Sequence, residues 1–112
     1  MSEDTPRQVV LARVDPEDER RFAELAAEWK RDRPKGADLV GLCSTWAYQR
    51  IIGMGDRALP HILAALKREP DHWFWALYAI TGANPVPVED EGRLTRMAEA
   101  WLQWGRRQGY AC

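Results

Sequence analysis

Apolar side chains recur along the chain at spacings of three and four residues, which is the period of one face of an α-helix. Phe22, Leu25, Ala26 and Trp29 form the first such stripe, and similar stripes follow it. The pattern predicts five helices: from about Pro16 to Asp32, from about Thr45 to Ile52, from after Asp56 to before Pro70, over residues 71–82, and from Glu89 or Arg93 to Arg107.

Residues that favour helix ends stand at several of these boundaries. Asp15 is predicted to cap the first helix, with Pro16 in its first turn, where a missing N–H costs little. Ser44 is predicted to cap the second helix and Asp71 the fourth. Gly82 is expected to end the fourth helix in the left-handed conformation.

The chain contains one β-rich run, VVLARV at residues 9–14. A lone strand has no partner here, so we interpret residues 1–15 as a flexible or extended arm. Residues 37–44 are expected to form a connection. The remainder, residues 16–112, is predicted to be a single all-α domain, a compact bundle of about five helices.

The predicted fourth helix, DHWFWALYAITG, is apolar nearly all the way round. Trp73 and Leu77 lie on one side of it, and Trp75 and Tyr78 lie on the opposite side. One interpretation places both sides in the protein's own core, the usual destination of apolar stripes. The other reserves the second side for a protein partner, because Trp and Tyr concentrate binding energy at interfaces.

Two more tryptophans bear on this choice. Trp46 projects from the polar side of the second helix beside Arg50, unless the preceding loop draws it inward, and Trp104 lies at the edge of the apolar stripe of the fifth helix. An exposed indole beside an arginine is common at protein interfaces. The predicted partner-binding residues are therefore Trp46, Arg50, Trp75, Tyr78 and Trp104.

The formal net charge is −1, which argues against nucleic-acid binding by a global field and leaves a local patch possible. The basic run KRDRPK at residues 30–35 also suits a helix C-terminus, where cations interact favourably with the dipole. No groove-reading helix accompanies it. The candidate nucleic-acid contacts are Lys30, Arg31, Arg33, Lys35, Arg106 and Arg107.

No motif predicts catalysis, a metal or a cofactor. His61 lies away from the leucine stripe of its helix, so we expect it to be solvent-exposed. Cys43 is interpreted as a buried structural thiol, and it forms no disulfide framework or metal-binding spacing with Cys112. The acidic run at residues 89–91 fits a helix start better than a cation site.

The start of the sequence, MSEDTPRQVV, is acidic and lacks the hydrophobic region of a signal peptide. No apolar run approaches the ~18 residues that a membrane span requires. The pattern predicts a cytoplasmic protein that does not insert into a membrane.

The chain resembles a small, uncharacterised family of bacterial all-helical proteins. The similar segments are AYQRIIGMG (47–55), ALPHIL (58–63), WFWALYAITGANPV (73–86) and MAEAWLQWG (97–105). Members of that family carry histidine and proline where Thr45 and Trp46 stand here, so any role of that histidine does not transfer. Residues 55–82 also resemble a single HEAT-type hairpin, without a second copy in the chain. The resemblance assigns no catalytic residue and implies a bacterial cytosolic accessory protein.

These patterns support one leading hypothesis: a non-catalytic helical adaptor that binds another protein, such as one encoded by a neighbouring gene. An antitoxin-like role is a concrete version, in which the arm adds a strand to a sheet edge of the partner. The alternative is a small nucleic-acid-associated regulator that uses the basic groups. An enzyme with an unrecognised site is a third and weaker possibility.

Overall fold

The fold is all-α in the computed structural model, which describes residues 14–33, 36 and 38–111. The predicted fold class is therefore confirmed, and most of the predicted arm lies outside the described residues. The α-helices are α1 (Pro16–Arg31), α2 (Leu39–Cys43), α3 (Trp46–Gly53), α4 (Leu59–Arg68), α5 (Phe74–Thr81) and α6 (Leu94–Arg107). Two short 3₁₀-helices, Gly55–Ala58 and Val88–Asp90, precede α4 and α6.

Local signals set the start of α1 and the end of α5 as predicted. The Asp15 carboxylate accepts a 2.9 Å hydrogen bond from the Glu17 backbone N–H, and Pro16 is the first residue of α1. Gly82 follows α5 with φ of +71° and donates its N–H to the Tyr78 carbonyl. Only glycine adopts this left-handed conformation at little cost.

Two predictions for residues 37–45 were wrong. The expected connection contains α2, because the Asp38 carboxylate accepts from the Gly41 N–H at 2.9 Å and starts a helical turn. Ser44 does not cap α3; its hydroxyl donates to the Val40 carbonyl of α2 instead. Thr45 caps α3, and its Oγ1 accepts from the Tyr48 N–H at 3.3 Å.

The predicted Asp71 cap of α5 was also wrong. The helix begins at Phe74, and the Asp71 carboxylate accepts from the His72 N–H and from Arg33. The start of α5 is capped from α3, since the Tyr48 hydroxyl accepts from the Ala76 N–H at 2.9 Å and donates to the His72 carbonyl at 3.0 Å. A side chain from another helix therefore does what the local carboxylate was expected to do.

Helix α3 occupies the middle of the fold and packs against both α1 and α5, while α4 packs against α6. The main helical neighbour of α5 is therefore α3 rather than α4. Aromatic rings fill this contact: Trp29 lies 4.5 Å from Trp73 and 5.2 Å from Tyr48 between ring centroids. The fully buried aromatic side chains are Trp29, Tyr48, Trp73 and Trp101.

Candidate partner-binding surface

The structure places the five predicted partner-binding residues in three locations. Trp46 and Arg50 lie on the outer side of α3, Trp75 and Tyr78 line a groove between α5 and α6, and Trp104 packs on the core from α6. The exposure of the five side chains and the chemical groups around them differ between the three locations.

The first location is a depression that we call the Trp46 patch. It has a volume of about 380 Å³ and is lined by Arg21, Trp46, Gln49, Arg50, Gly53 and Met54. Trp46 is the first residue of α3 and is 71% exposed, so the preceding loop does not draw it inward. Helix α3 points its opposite face, with Ala47, Tyr48 and Ile51, into the core and thereby fixes the direction of this indole.

Arginine side chains flank this indole. The Arg50 guanidinium carbon lies 5.9 Å from the Trp46 ring centroid, within cation–π range. Arg21 reaches the patch from α1, which packs against α3. Sequence reasoning missed Arg21, because the signal is a tertiary contact between two helices.

The second location, the apolar groove, has a volume of about 240 Å³ between α5, α6 and the start of α2. Trp75 is 43% exposed on its wall, and Leu39 of α2 contributes a second exposed apolar side chain. Leu39 was not among the predicted surface residues, because residues 37–44 were expected to form a connection. The lining residues are Leu39, His72, Phe74, Trp75, Tyr78, Gly92, Leu94 and Met97.

Tyr78 places a polar group in this otherwise apolar groove. Its hydroxyl donates to the Asn84 side-chain oxygen at 3.2 Å. Burial raises the pKa of Tyr78, and the nearby Glu91 carboxylate raises it further. The phenol therefore stays neutral near pH 7 and offers a hydrogen-bonding oxygen at the groove.

Trp104 is half-buried and packs against the core of the bundle. Its ring meets Trp101 edge to face at 5.2 Å, and Trp101 meets Tyr78 in the same way at 5.7 Å. This chain of rings connects Trp104 to the groove through the core. Its predicted role in binding a partner stays a prediction.

The predicted nucleic-acid contacts mostly have acidic neighbours. Arg33 donates to Asp71 at 2.6 Å and lies 4.0 Å above the Trp29 ring, so it ties α1 to the segment before α5. Lys30 lies 3.7 Å from Glu69, and Arg31 lies 3.4 Å from Asp32. Arg106 and Arg107 are exposed at the end of α6, and Lys35 lies outside the described residues.

His61 is buried, which contradicts the expected solvent exposure. Only 8% of it is accessible, because Phe22 of α1 stacks on its ring with centroids 6.0 Å apart. Within the part of the chain that the structure describes, its Nε2 atom has no hydrogen-bond partner. Burial lowers the pKa of His61, and the Glu19 and Asp18 carboxylates oppose that shift only in part.

Cys43 is buried as expected, and burial raises the pKa of its thiol. A raised pKa leaves less of the reactive thiolate near pH 7. Within residues 14–33, 36 and 38–111, no group of three or more His, Cys, Asp or Glu side chains is placed to hold a metal ion. No helix of the same residues is long and apolar enough to cross a bilayer.

Comparisons with family models, with curated protein sequences and with solved structures find no match for this chain.

Proposed function

We propose that this chain is a non-catalytic helical accessory protein that binds another protein through its exposed tryptophans. One observation carries the proposal: Trp46 is 71% exposed and Trp75 is 43% exposed, although three other tryptophans are fully buried. The core of this fold thus accommodates indoles, and these two nevertheless lie at the surface.

The free energy available at these side chains is substantial. Covering one exposed indole removes enough apolar surface from water to stabilise a complex by on the order of 2–3 kcal/mol. The arginines of the Trp46 patch and the Tyr78 hydroxyl add polar groups that orient a partner. Trp and Arg anchors surrounded by weaker contacts are the composition of interface hot spots.

An antitoxin-like protein is the concrete version that we favour. The resemblance of the sequence to a small bacterial family is the reason for favouring a cytosolic accessory role. The nucleic-acid alternative has no comparable observation in its favour, because Lys30, Arg31 and Arg33 each lie near a carboxylate.

Site-specific photo-crosslinking in the native host tests this function. A photoreactive phenylalanine derivative replaces Trp46, Trp75 or, as a control, Val88. Val88 is 80% exposed but lines neither the patch nor the groove. We expect one protein to be crosslinked from position 46 or 75 and not from position 88, as identified by mass spectrometry.

Alanine variants provide the second measurement. Trp46→Ala and Trp75→Ala should lower the yield of the same protein in co-purification, and Val88→Ala should leave it unchanged. Equal crosslinking from all three positions, or none from any, would contradict the proposed function.

A further inference from the structure

We propose that the Trp46 patch recognises an acidic segment of the protein partner, with carboxylates on Arg21 and Arg50 and an apolar side chain over Trp46. The inference rests on the proposed function and adds the chemistry of the partner. It follows from the charge and shape of the patch, which contains two cations and no acidic side chain.

Several other arginines of the fold have carboxylate partners. Arg20 pairs with Glu17 at 2.6 Å and Arg57 with Asp18 at 2.9 Å. Arg33 and Arg96 also have carboxylate partners. Among the described residues no ion pair involves Arg21 or Arg50, and both are exposed.

Carboxylates match this arrangement well. The planar guanidinium group presents a fixed fork of N–H donors that binds a carboxylate through two parallel hydrogen bonds. The guanidinium of Arg50 lies over the indole at 5.9 Å, so a carboxylate on Arg50 brings the adjoining part of its chain toward Trp46. Met54, which also lines the patch, offers an adaptable apolar contact.

Gln49 favours a peptide over a phosphate chain. Its amide nitrogen donates to the Cys43 carbonyl at 2.8 Å, and its oxygen makes no hydrogen bond within the described part of the chain. That free oxygen can accept the backbone N–H of a peptide, whereas a phosphodiester backbone has no N–H to donate.

The surroundings of Arg21 limit the negative charge that a ligand can place there, which disfavours a nucleic acid more than a short peptide with few carboxylates. Exposed carboxylates flank it along α1, with Glu17 one turn before it and Glu24 one turn after it. Binding of a single strand needs a continuous cationic track for its phosphates and several stacking rings. Two arginines beside one exposed indole suit a short peptide with few charges.

Peptide titration of the full chain tests the inference. The probes are a fluorescein-labelled peptide of alternating glutamate and leucine, its lysine counterpart, and a single-stranded oligodeoxynucleotide. Binding is followed by fluorescence anisotropy and by the NMR signals of the indole N–H groups, among which Trp46→Phe identifies that of Trp46. We expect the glutamate peptide to bind in a salt-sensitive manner and to shift the Trp46 signal.

Substitution of the arginines makes the test specific. Arg21→Ala and Arg50→Ala should each weaken binding of the glutamate peptide about two- to fivefold, the range for exposed ion pairs. Arg68→Ala is the matched control, because Arg68 is exposed on α4 and lies outside the patch. All three positions are at the surface, so the variants should fold like the native chain, as circular dichroism can verify.

Three results would overturn the inference: equal binding of the lysine peptide, tighter binding of the oligodeoxynucleotide through the Trp46 signal, or no shift of that signal by any probe. Failure of the proposed function is distinguishable. If Trp46 crosslinks to a partner but Arg21→Ala and Arg50→Ala leave the yield unchanged, the function stands and the acidic-segment inference is wrong.

Discussion

At the scale of single residues, Tyr48 contributes more to the fold than its apolar position in α3 suggests. Its ring is fully buried against Trp29, and its hydroxyl satisfies two backbone groups at the start of α5. Buried backbone groups without a partner are costly. Tyr48 therefore joins two helices by packing and by hydrogen bonds together.

Tyr48→Phe keeps the ring and removes only the hydroxyl. The Ala76 N–H and the His72 carbonyl then lose a partner at a poorly hydrated site, so we expect the free energy of unfolding to fall by about 2–4 kcal/mol. Urea denaturation measures this change. Tyr78→Phe is the matched control, because its exposed bond to Asn84 should contribute no more than about 0.5 kcal/mol. Equal losses in both variants would contradict the capping role of Tyr48.

His61 predicts a pH dependence of stability. Burial lowers its pKa in the folded chain, so the unfolded chain binds the proton first as the pH falls. Neutral His61 therefore contributes fully to the free energy of unfolding above a pH of about 6.5, the pKa of an unperturbed histidine. This contribution declines as the pH drops below that value.

His61→Leu should remove the part of the stability loss at falling pH that protonation of His61 causes. Leucine fills a similar volume and carries no unpaired nitrogen, so stability at pH 7 should be equal or higher. The measurement is the free energy of unfolding in urea between about pH 7 and 5, above the range in which most carboxylates titrate. If the variant and the native chain lose stability in parallel, the dependence has another source.

At the scale of elements, two glycines at helix ends have opposite requirements. Gly82 after α5 has φ of +71°, whereas Gly53 at the end of α3 is helical with a negative φ. A Cβ atom would meet no neighbour within 4 Å at either position. Differences between alanine variants at these sites therefore report backbone conformation rather than crowding.

Gly82→Ala should lower the free energy of unfolding by about 1–2 kcal/mol, because alanine is strained in the left-handed region. Gly53→Ala should raise it by roughly 0.5–1 kcal/mol, because alanine has the higher helix propensity. Thermal unfolding of the two variants beside the native chain measures both shifts. A stabilising Gly82→Ala would show that α5 does not end in the left-handed conformation.

Helix ends that depend on nearby residues could be predicted from the sequence, whereas features that depend on contacts between helices could not. Asp15, Pro16 and Gly82 act within a few residues of their own positions, so they predicted the start of α1 and the end of α5 correctly. The start of α5 depends on a hydroxyl from α3, and the burial of His61 depends on Phe22 of α1. Periodicity within one helix contains no information about such contacts.

The candidate partner-binding surface could likewise be predicted only in part from the sequence. Helical projection placed Trp46 on the polar side of its helix and Trp75 on the side opposite Trp73, but it left open whether either indole is buried. Both are exposed. The projection could not predict that Arg21 of α1 joins Trp46, or that Leu39 joins Trp75 in the groove. Residues from separate helices meet at a surface only through the packing of the whole fold.

At the scale of the whole molecule, five of the six tryptophans form an inner and an outer set, and the sixth, Trp104, is half-buried. Trp29, Trp73 and Trp101 are inaccessible, whereas Trp46 and Trp75 are open to solvent. The outer set lies in two separate places, so one partner that covers both would extend over α3 and α5. Ionic quenchers of fluorescence distinguish these places, because only Trp46 lies between arginines that have no carboxylate partner in the described residues.

Relative to the quenching of a free tryptophan amide by the same ion, we expect iodide to quench the emission of the isolated chain more strongly than caesium, because the cations of the Trp46 patch attract the anion. Trp46→Phe should remove most of this preference, and Trp75→Phe should lower quenching by both ions without changing their order. Stern–Volmer slopes measured at low and high salt quantify the difference, which salt should reduce. Quenching that Trp46→Phe leaves unchanged would mean that the patch is covered in solution, and recovery of the iodide preference on dilution would identify the cover as a second copy of the chain.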